Sequence, residues 1–514
     1  MEPLLLSVRR CPHKHHALKS HLHSPSDPNL QTAIRIKLYG RRFGFVRDKA
    51  FFGARAGSSE MNLAESLASY AKSLDYSSIP ENIIHETEKR IIDSLACGIG
   101  AFNAEPVRIA RETAEEAKNP QGATILGTKK KTTMDLAVFA NGMMVRYFDY
   151  NDTYLSLEPA HPSDNIGPCL AVSSQQDSSG KDLLLSIALA YEIQCRLCDA
   201  ADIRHRGWDH VCYGLVSMAL AAGWLMGLSE EKLVQAVNIS LNSHIAMRQV
   251  RAGELSMWKG VSFPNAARNA VFSAMLAEKG MTGPSPIFEG EMGFFKQISG
   301  LFELNVESFG GRNGSFKIGE TYLKFFPAEI HSQSAIWAAL EAKKEIPSLD
   351  EVESVEIASH EAGYNILGKD PEKWAPATKE TADHSLPYIV SRALFDGKID
   401  NSTYLPRKFQ DQRILDFLKK VKVIEDRELS RMYPEAVANR VTVTLTSGKT
   451  VSKQVNYHKG HPKNPMSDKD VEDKFRRLTA KQYSKTHADR VLKTVWGLEK
   501  TKDVSSILPD LIVH

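Results

Sequence analysis

The chain has 514 residues, of which 42% are hydrophobic and 25% are charged, so it can form a large core and is not disordered overall. Residues 1–60 hold 11 Lys or Arg against 4 Asp or Glu, a net charge of +7, whereas the remaining residues carry a net charge of −4. This mildly acidic body excludes the basic surface of a nucleic-acid-binding protein, and six Cys in so long a chain favour a reduced intracellular protein over a disulfide scaffold.

The first 60 residues differ from the rest of the chain. They are rich in Arg, poor in acidic residues and contain Ser, which is typical of an organellar transit peptide. No continuous apolar segment follows the early charges, which argues against a secretory signal. The alternatives are an unstructured extension or a start codon placed too early, because Met61 begins a clean helical pattern. We expect the mitochondrial matrix if the segment is a transit peptide, and the cytoplasm otherwise.

Helical periodicity extends from Met61 to about residue 300. A helix is predicted after Pro80, where isoleucines recur at helical spacing. Ser229 and the two acidic residues after it predict the N-terminus of a helix that continues through Leu241. Residues 211–229 lack charge and approach the length of a membrane span, but their glycines and alanines make them only weakly hydrophobic. We therefore predict a buried helix in an all-α core.

The pattern changes after about residue 320. Apolar residues among polar ones at 352–357 predict a strand. Alternation at 441–445, a Ser-Gly turn and a second segment at 450–455 predict a β-hairpin, and helical spacing returns from 468 to 498. The predicted fold class is mainly α with α+β, a large all-helical domain interrupted by a smaller α+β lid domain. Its predicted boundaries are an extension at 1–60, a helical domain at 61–319 and 461–514, and a lid domain at 320–460.

The densest polar cluster occupies residues 148–153 and 161–165. It combines carboxylates, a His, hydroxyls and amides directly after the helical segment 134–147. Such groups are costly to bury unless they satisfy one another or a ligand. The cluster is therefore interpreted either as a capped loop or as a binding site.

Other polar residues stand out along the chain, each with an ordinary structural alternative. Basic residues at 248–259 form either an anion site or a solvated face, and Lys324 among phenylalanines suggests partial burial. Single histidines at 205–210 and 384 are more often structural than catalytic. The dinucleotide, P-loop, zinc-protease and serine-hydrolase motifs are absent from the sequence.

Cys195 and Cys198 form a C-x-x-C pair. With Cys169 or Cys212 they could ligate an iron–sulfur cluster. The pair lies in a predicted helix rather than in the Gly/Pro-rich loop usual for such ligands, which favours packing cysteines.

Four motifs stand out by their form and spacing, namely R-Y-F-D-Y-N-D-T at 146–153, H-P-S-D-N at 161–165, D-H at 209–210 and F-P-A-E-I-H-S-Q at 326–333. They resemble the motifs of the MmgE/PrpD family, and the resemblance covers about residues 61–510. The first two are highly specific at this spacing, and the H-P-S-D-N form is closer to the dehydratase branch than to the decarboxylase branch.

The resemblance implies a homodimer with a cofactor-free and metal-free active site between a helical domain and a lid. It implies dehydration of 2-methylcitrate or a closely related citrate-like acid to a cis-aconitate-type product. The alternatives are a decarboxylase or epimerase of the same family, and a non-catalytic helical scaffold. We expect no nucleic acid or membrane partner. The expected catalytic residues are Asp149, His161, His210, Lys259, Lys324 and Tyr388, and the expected substrate-binding residues are Thr153, Ser163, Arg248, Arg251, Glu329, His331 and His384.

Overall fold

The computed structural model describes residues 61–253 and 255–514, and these residues belong to one compact unit. The basic segment 1–60, with the predicted transit peptide, lies outside the described residues. The described chain is mainly helical with two small sheets, which confirms the predicted fold class.

The first part of the chain is a packed array of helices with one short two-stranded sheet, β1–β2. Its elements are α1 (Leu63–Ser73), α2 (Glu81–Gly100), α3 (Glu105–Glu116), β1 (Lys118–Thr124), β2 (Lys131–Thr132), α4 (Met134–Arg146), α5 (Ile166–Ser173), α6 (Gly180–Ala200), α7 (Val211–Leu225), α8 (Glu230–Ser243) and α9 (Trp258–Glu278).

Local sequence explains where these helices begin. Pro80 stands at the N-cap of α2, and the Ser229 hydroxyl accepts the Lys232 N–H at the start of α8, as predicted. The observed α8 ends at Ser243, two residues beyond the predicted end. The charge-free helix α7 is almost entirely buried among other helices, as predicted. Within the described residues, no helix is both long and apolar enough to cross a membrane.

The second part combines shorter helices with a four-stranded sheet in the order β4–β3–β5–β6. The strands β3 and β4 pair in parallel and the other neighbours are antiparallel, so the predicted β5–β6 hairpin is confirmed. The elements from here to the C-terminus are α10 (Gln333–Lys343), β3 (Val352–Ser359), α11 (Glu361–Leu367), α12 (Lys379–Ala382), α13 (Leu386–Asp396), α14 (Pro406–Phe409), α15 (Gln412–Leu418), β4 (Val421–Glu425), α16 (Arg427–Met432), β5 (Asn439–Leu445), β6 (Thr450–Val455), α17 (Asp468–Thr479) and α18 (Lys485–Val495).

Two main hydrophobic cores divide the described chain. The helical core contains residues between 64 and 323 and also residues between 466 and 511. The mixed core contains residues between 326 and 451, where α10 and α13 cover the sheet. The predicted domain boundaries lie near these changes and stay a prediction.

Cys195 and Cys198 are buried in the helical core, where desolvation raises the pKa of both thiols.

Candidate active site

A cavity of about 340 Å³ lies between side chains of the helical core region and side chains of the mixed core region. Both regions contribute charged and imidazole groups, a composition that fits a small polar ligand. Ten of the thirteen predicted site residues line this cavity, namely Asp149, Thr153, His161, His210, Arg248, Arg251, Lys259, Glu329, His331 and His384.

Asp149 is the centre of the charged floor of this cavity. Its backbone adopts a left-handed conformation, with φ of 51°, just after α4 ends at Arg146. A non-glycine residue in this region is uncommon, although Asp tolerates it better than most, and such strain clusters at functional sites. The Asp149 carboxylate pairs with Arg146, with the Lys259 Nζ at 3.0 Å and with the Lys324 Nζ at 3.0 Å. Burial alone would raise the pKa of Asp149, but these cations hold it well below its usual value.

A second buried group of charges supports that floor from behind. The Lys474 Nζ, on α17, contacts the Asp93 carboxylate at 2.7 Å and donates to the carbonyls of Tyr150 (2.7 Å) and Lys324 (2.9 Å). Lys474 is completely buried and does not line the cavity. We call Lys474, Asp93 and these two carbonyls the Lys474 cluster, and Asp149 with its three cations the Asp149 cluster.

Two imidazoles from the helical part face the Asp149 cluster. The His161 Nδ1 lies 2.8 Å from the Asp152 carbonyl oxygen, which can only accept, so Nδ1 carries the proton and Nε2 is left to face Asp149 at 3.9 Å. The ring of His210 lies 5.6 Å from that of His161. Burial lowers the pKa of His210 to about 3 and that of His161 well below its usual value. Both rings are therefore neutral near pH 7 and able to accept a proton.

A third imidazole comes from the segment between α12 and α13. The His384 Nδ1 lies 2.6 Å from the Asp383 carboxylate, whose other oxygen binds Lys379 at 2.7 Å. The opposite nitrogen of His384 lies 3.6 Å from Asp149. Burial and the nearby Lys259 lower the pKa of His384, and the bond to Asp383 offsets part of that shift. Asp383 therefore orients a neutral ring whose Nε2 faces Asp149.

Two cations that line the cavity lack a carboxylate partner among the described residues. Lys373 is only 5% exposed, and Arg248 is half-buried with its pKa lowered by desolvation. Arg251 differs, because its guanidinium binds the Asp209 carboxylate at 2.7 Å. A buried unpaired charge is unfavourable, so Arg248 and Lys373 fit a ligand that brings negative charge.

Two further features complete the electrostatics of the cavity. Lys259 lies in the first turn of α9, so the positive end of the helix dipole adds to the ammonium charge. Burial raises the pKa of Glu329, although His384 and Lys324 oppose the shift. The same cavity thus contains neutral bases and a carboxyl group that holds its proton more readily than usual.

Three predicted site residues do not line the cavity. Lys324 lies directly beneath Asp149. The Ser163 hydroxyl oxygen accepts hydrogen bonds from the Asn151 side-chain amide and from the Asp152 N–H. Tyr388 is buried in the mixed core, and its hydroxyl donates to the Thr403 carbonyl at 2.5 Å, so it does not reach a molecule held in this cavity.

The polar cluster at 148–165 thus has both of its predicted characters. Hydrogen bonds join Asn151, Asp152, Ser163 and Asp164 to one another, whereas Asp149, Thr153 and His161 face the cavity. Sequence reasoning also missed lining or supporting residues, although Arg146 lies inside the first quoted motif and Asp383 directly precedes His384. The missed residues are Arg146, Asn365, Asp370, Lys373, Asp383 and Lys474.

Comparison with known proteins identifies the family. The profile of the MmgE/PrpD N-terminal domain matches residues 65–307, and that of the MmgE/PrpD C-terminal domain matches residues 326–500. The chain belongs to the MmgE/PrpD family.

Several curated members of the MmgE/PrpD family are similar over most of their length. The 2-methylcitrate dehydratase of Escherichia coli K12 is 29% identical over 430 residues, which cover 78% of this chain and 87% of the relative. The mitochondrial 2-methylcitrate dehydratase of Yarrowia lipolytica is 28% identical over 82% of this chain and 84% of the relative. An alkylcitrate dehydratase of a fungal species is 28% identical over 75% of this chain and 82% of the relative.

Proposed function

We propose that this protein is a hydro-lyase that removes water from 2-methylcitrate or a closely related citrate-like acid and forms a cis-aconitate-type product. One observation carries the proposal: a single cavity holds Arg248 and Lys373, which have no carboxylate partner among the described residues, together with neutral imidazoles next to Lys259. The names of its relatives, several of them 2-methylcitrate dehydratases, support the same reaction class.

The cations bind the carboxylates of the substrate. Arg248 comes from the segment between α8 and α9, and Lys373 from the segment after α11, so a polycarboxylate is held from both core regions. Hydrogen bonds between charged groups are among the strongest in proteins, and those of Arg can be bidentate. Binding thereby connects the mixed core region to the helical floor, and we propose that the mixed core region acts as a lid.

The elimination needs a base and an acid. An imidazole Nε2, of His161 or His384, takes the proton from the carbon beside a carboxylate, and the negative charge that develops there is stabilised by Lys259. The electron pair forms the double bond as the hydroxyl leaves. Glu329, with its raised pKa, supplies the proton that turns the hydroxyl into water. His210 stays an alternative base, because its ring adjoins that of His161.

The protein acts as a homodimer in this proposal. Three apolar side chains that flank the cavity-lining residues Arg248 and Leu255 in the chain are strongly exposed. They are Met247 at 69%, Met257 at 46% and Trp258 at 54%. Met257 and Trp258 are neighbours in the chain, and contiguous exposed apolar groups are typical of association surfaces. Light scattering of the purified protein should give twice the chain mass, and Trp258→Glu should shift it toward the monomer.

The compartment follows from residues 1–60, which we propose act as a transit peptide to mitochondria. The Arg-rich, acid-poor composition of the segment supports this, as does the mitochondrial name of the relative from Yarrowia lipolytica. Fusion of residues 1–60 to a fluorescent protein should direct the fusion to mitochondria, and a diffuse cytosolic signal would contradict the proposal.

The decisive experiment incubates the purified protein separately with 2-methylcitrate and with cis-aconitate. The hydro-lyase should produce the ultraviolet absorbance of a new conjugated double bond from the first acid, and no itaconate from the second. Itaconate formation would instead establish the decarboxylase alternative. The variant Lys259→Ala serves as the negative control for adventitious activity in the preparation.

A further inference from the structure

Part of the cavity wall is apolar and does not take part in the proposed chemistry. Leu155 and Ile330 both line the cavity, are 7% and 2% exposed, and pack in one cluster with Tyr322 and Val437. Leu255, 6% exposed, also lines the cavity. None of these side chains can bind a carboxylate or transfer a proton.

Leu155 is placed on this wall by the backbone next to the catalytic groups. Thr153 pairs with Tyr322 and Tyr154 pairs with Ala160 through reciprocal backbone hydrogen bonds of 2.7–3.0 Å. Because alternate residues of an extended segment face opposite sides, Thr153 and Leu155 both face the cavity. Tyr154 points away, and its hydroxyl binds Asp199 at 2.8 Å. The apolar wall therefore begins two residues from Thr153, which lies against His161.

The cavity extends as far as this apolar wall. Its 340 Å³ lie at the lower end of the range of roughly 300–1,000 Å³ that is typical of small-molecule pockets. Water next to Leu155 and Ile330 would find few polar partners there. An apolar group attached to the substrate would remove this surface from water and gain the free energy of its burial.

We propose that Leu155 and Ile330 form an alkyl subsite, and that the protein prefers citrate-like tricarboxylic acids whose alkyl substituent is longer than methyl. This inference rests on the proposed hydro-lyase function and names its substrate class. The cationic groups hold the three carboxylates, and the alkyl chain extends along the apolar wall. The similarity to an alkylcitrate dehydratase agrees with this substrate class.

The first test measures kcat/KM for dehydration of a series of citrates that carry methyl, propyl and hexyl substituents at the same carbon. We expect kcat/KM to rise about fourfold for each added methylene until the wall is covered. A steady fall beyond methyl, with 2-methylcitrate still dehydrated, would overturn the alkyl subsite and leave the proposed function intact. If no member of the series were dehydrated, the proposed function itself would fail.

The second test alters the wall. Leu155→Phe fills the subsite and should lower the ratio of kcat/KM for the hexyl acid to that for the methyl acid by about tenfold or more. Leu157→Phe is the matched control, because Leu157 lies in the same loop but is 56% exposed and does not line the cavity, and it should leave the ratio unchanged. Equal effects of the two substitutions would contradict the assignment.

A complementary variant covers the case in which Leu155→Phe does not fold. Leu155→Ala removes part of the wall and enlarges the subsite, so the substituent length that gives the highest kcat/KM should increase. Thermal unfolding and circular dichroism check that the variant is folded. An unchanged chain-length profile in folded Leu155→Ala would overturn the proposal.

Discussion

The Asp149 cluster and the Lys474 cluster are neighbours in the structure and similar in composition. Each is buried and contains a carboxylate paired with lysine, and Asp149 immediately precedes Tyr150, whose carbonyl Lys474 holds. They differ in access, because Asp149 and Lys259 line a cavity whereas Lys474 and Asp93 are sealed in the helical core. Burial and ion pairing alone therefore do not indicate catalysis. The Asp149 cluster differs in that its cavity adds neutral imidazoles and two cations that have no carboxylate partner among the described residues.

The two clusters should differ most in what they contribute to the free energy of unfolding. Lys474→Met should lower the free energy of unfolding by about 3–5 kcal/mol, because it leaves the fully buried Asp93 without its partner. The matched control is Lys469→Met on the same helix, whose side chain is 79% exposed and should change stability by less than about 0.5 kcal/mol. Urea unfolding measures both. A loss no greater than that of the control would make the Lys474 cluster dispensable for folding.

The converse test concerns Lys259. Lys259→Ala should lower kcat by about 10²–10³-fold, the usual effect of removing a group that stabilises developing negative charge. Stability should change little, because Arg146 and Lys324 still pair with Asp149. Lys279→Ala, at the exposed opposite end of α9, is the control. Unchanged turnover in folded Lys259→Ala would remove Lys259 from the proposed mechanism.

Lys373 differs from the lysines of both clusters, because it is buried and has no carboxylate partner among the described residues. Lys373→Met should raise KM about 10–100-fold by removing a charged hydrogen bond to the substrate, with a smaller change in kcat. Its stability should stay equal or increase, unlike that of Lys474→Met, since no paired carboxylate is left behind. Steady-state kinetics and thermal unfolding together test this. A stability loss as large as that of Lys474→Met would show that Lys373 has a structural partner.

Two neighbouring imidazoles allow a further comparison between a group that lines the cavity and a group that does not, with a smaller expected effect. His331 lines the cavity, whereas His360 is sealed behind it and caps α11, with their ring centres 4.9 Å apart. Burial lowers the pKa of His331 to about 3 and of His360 to about 2, against about 6.5 in the unfolded chain. The unfolded state therefore binds more protons below pH 6.5, and stability is lost as the pH falls from there.

The variant His360→Asn isolates one of these groups and retains a capping side chain. It should reduce the slope of the unfolding free energy against pH by up to about 1.4 kcal/mol per pH unit between pH 6 and pH 4. Urea unfolding at several pH values measures the slope. An identical slope in the two proteins would mean that His360 is not held neutral by the fold.

The sequence predicts those features that depend on local pattern. Ser229 identifies the start of α8, and alternation at 441–455 identifies the β5–β6 hairpin, because capping and strand periodicity are local properties. The motif around Asp149 indicates the floor of the site, but its backbone conformation and its three cations come from the folded chain.

Two of the missed residues, Lys373 and Lys474, owe their place to distant packing. Lys373 lies in a short Pro-Glu-Lys-Trp segment without periodicity, so only the folded mixed core region brings it to the cavity. Lys474 lies in a strongly charged helix that is easily interpreted as a solvated face. A signal for it exists, because Val471, Lys474 and Phe475 have the spacing of one helix face and all three are buried.

The position of Lys474 in the chain has a consequence for biosynthesis. Asp149 and Lys324 leave the ribosome long before α17 does, yet the backbone around them is held in place by Lys474. A nascent chain that ends before residue 474 lacks the group that neutralises Asp93 and binds these carbonyls. Translation therefore has to pass residue 474 before the floor of the cavity is locked, and activity should emerge only after α17 is made rather than in step with the growing helical region.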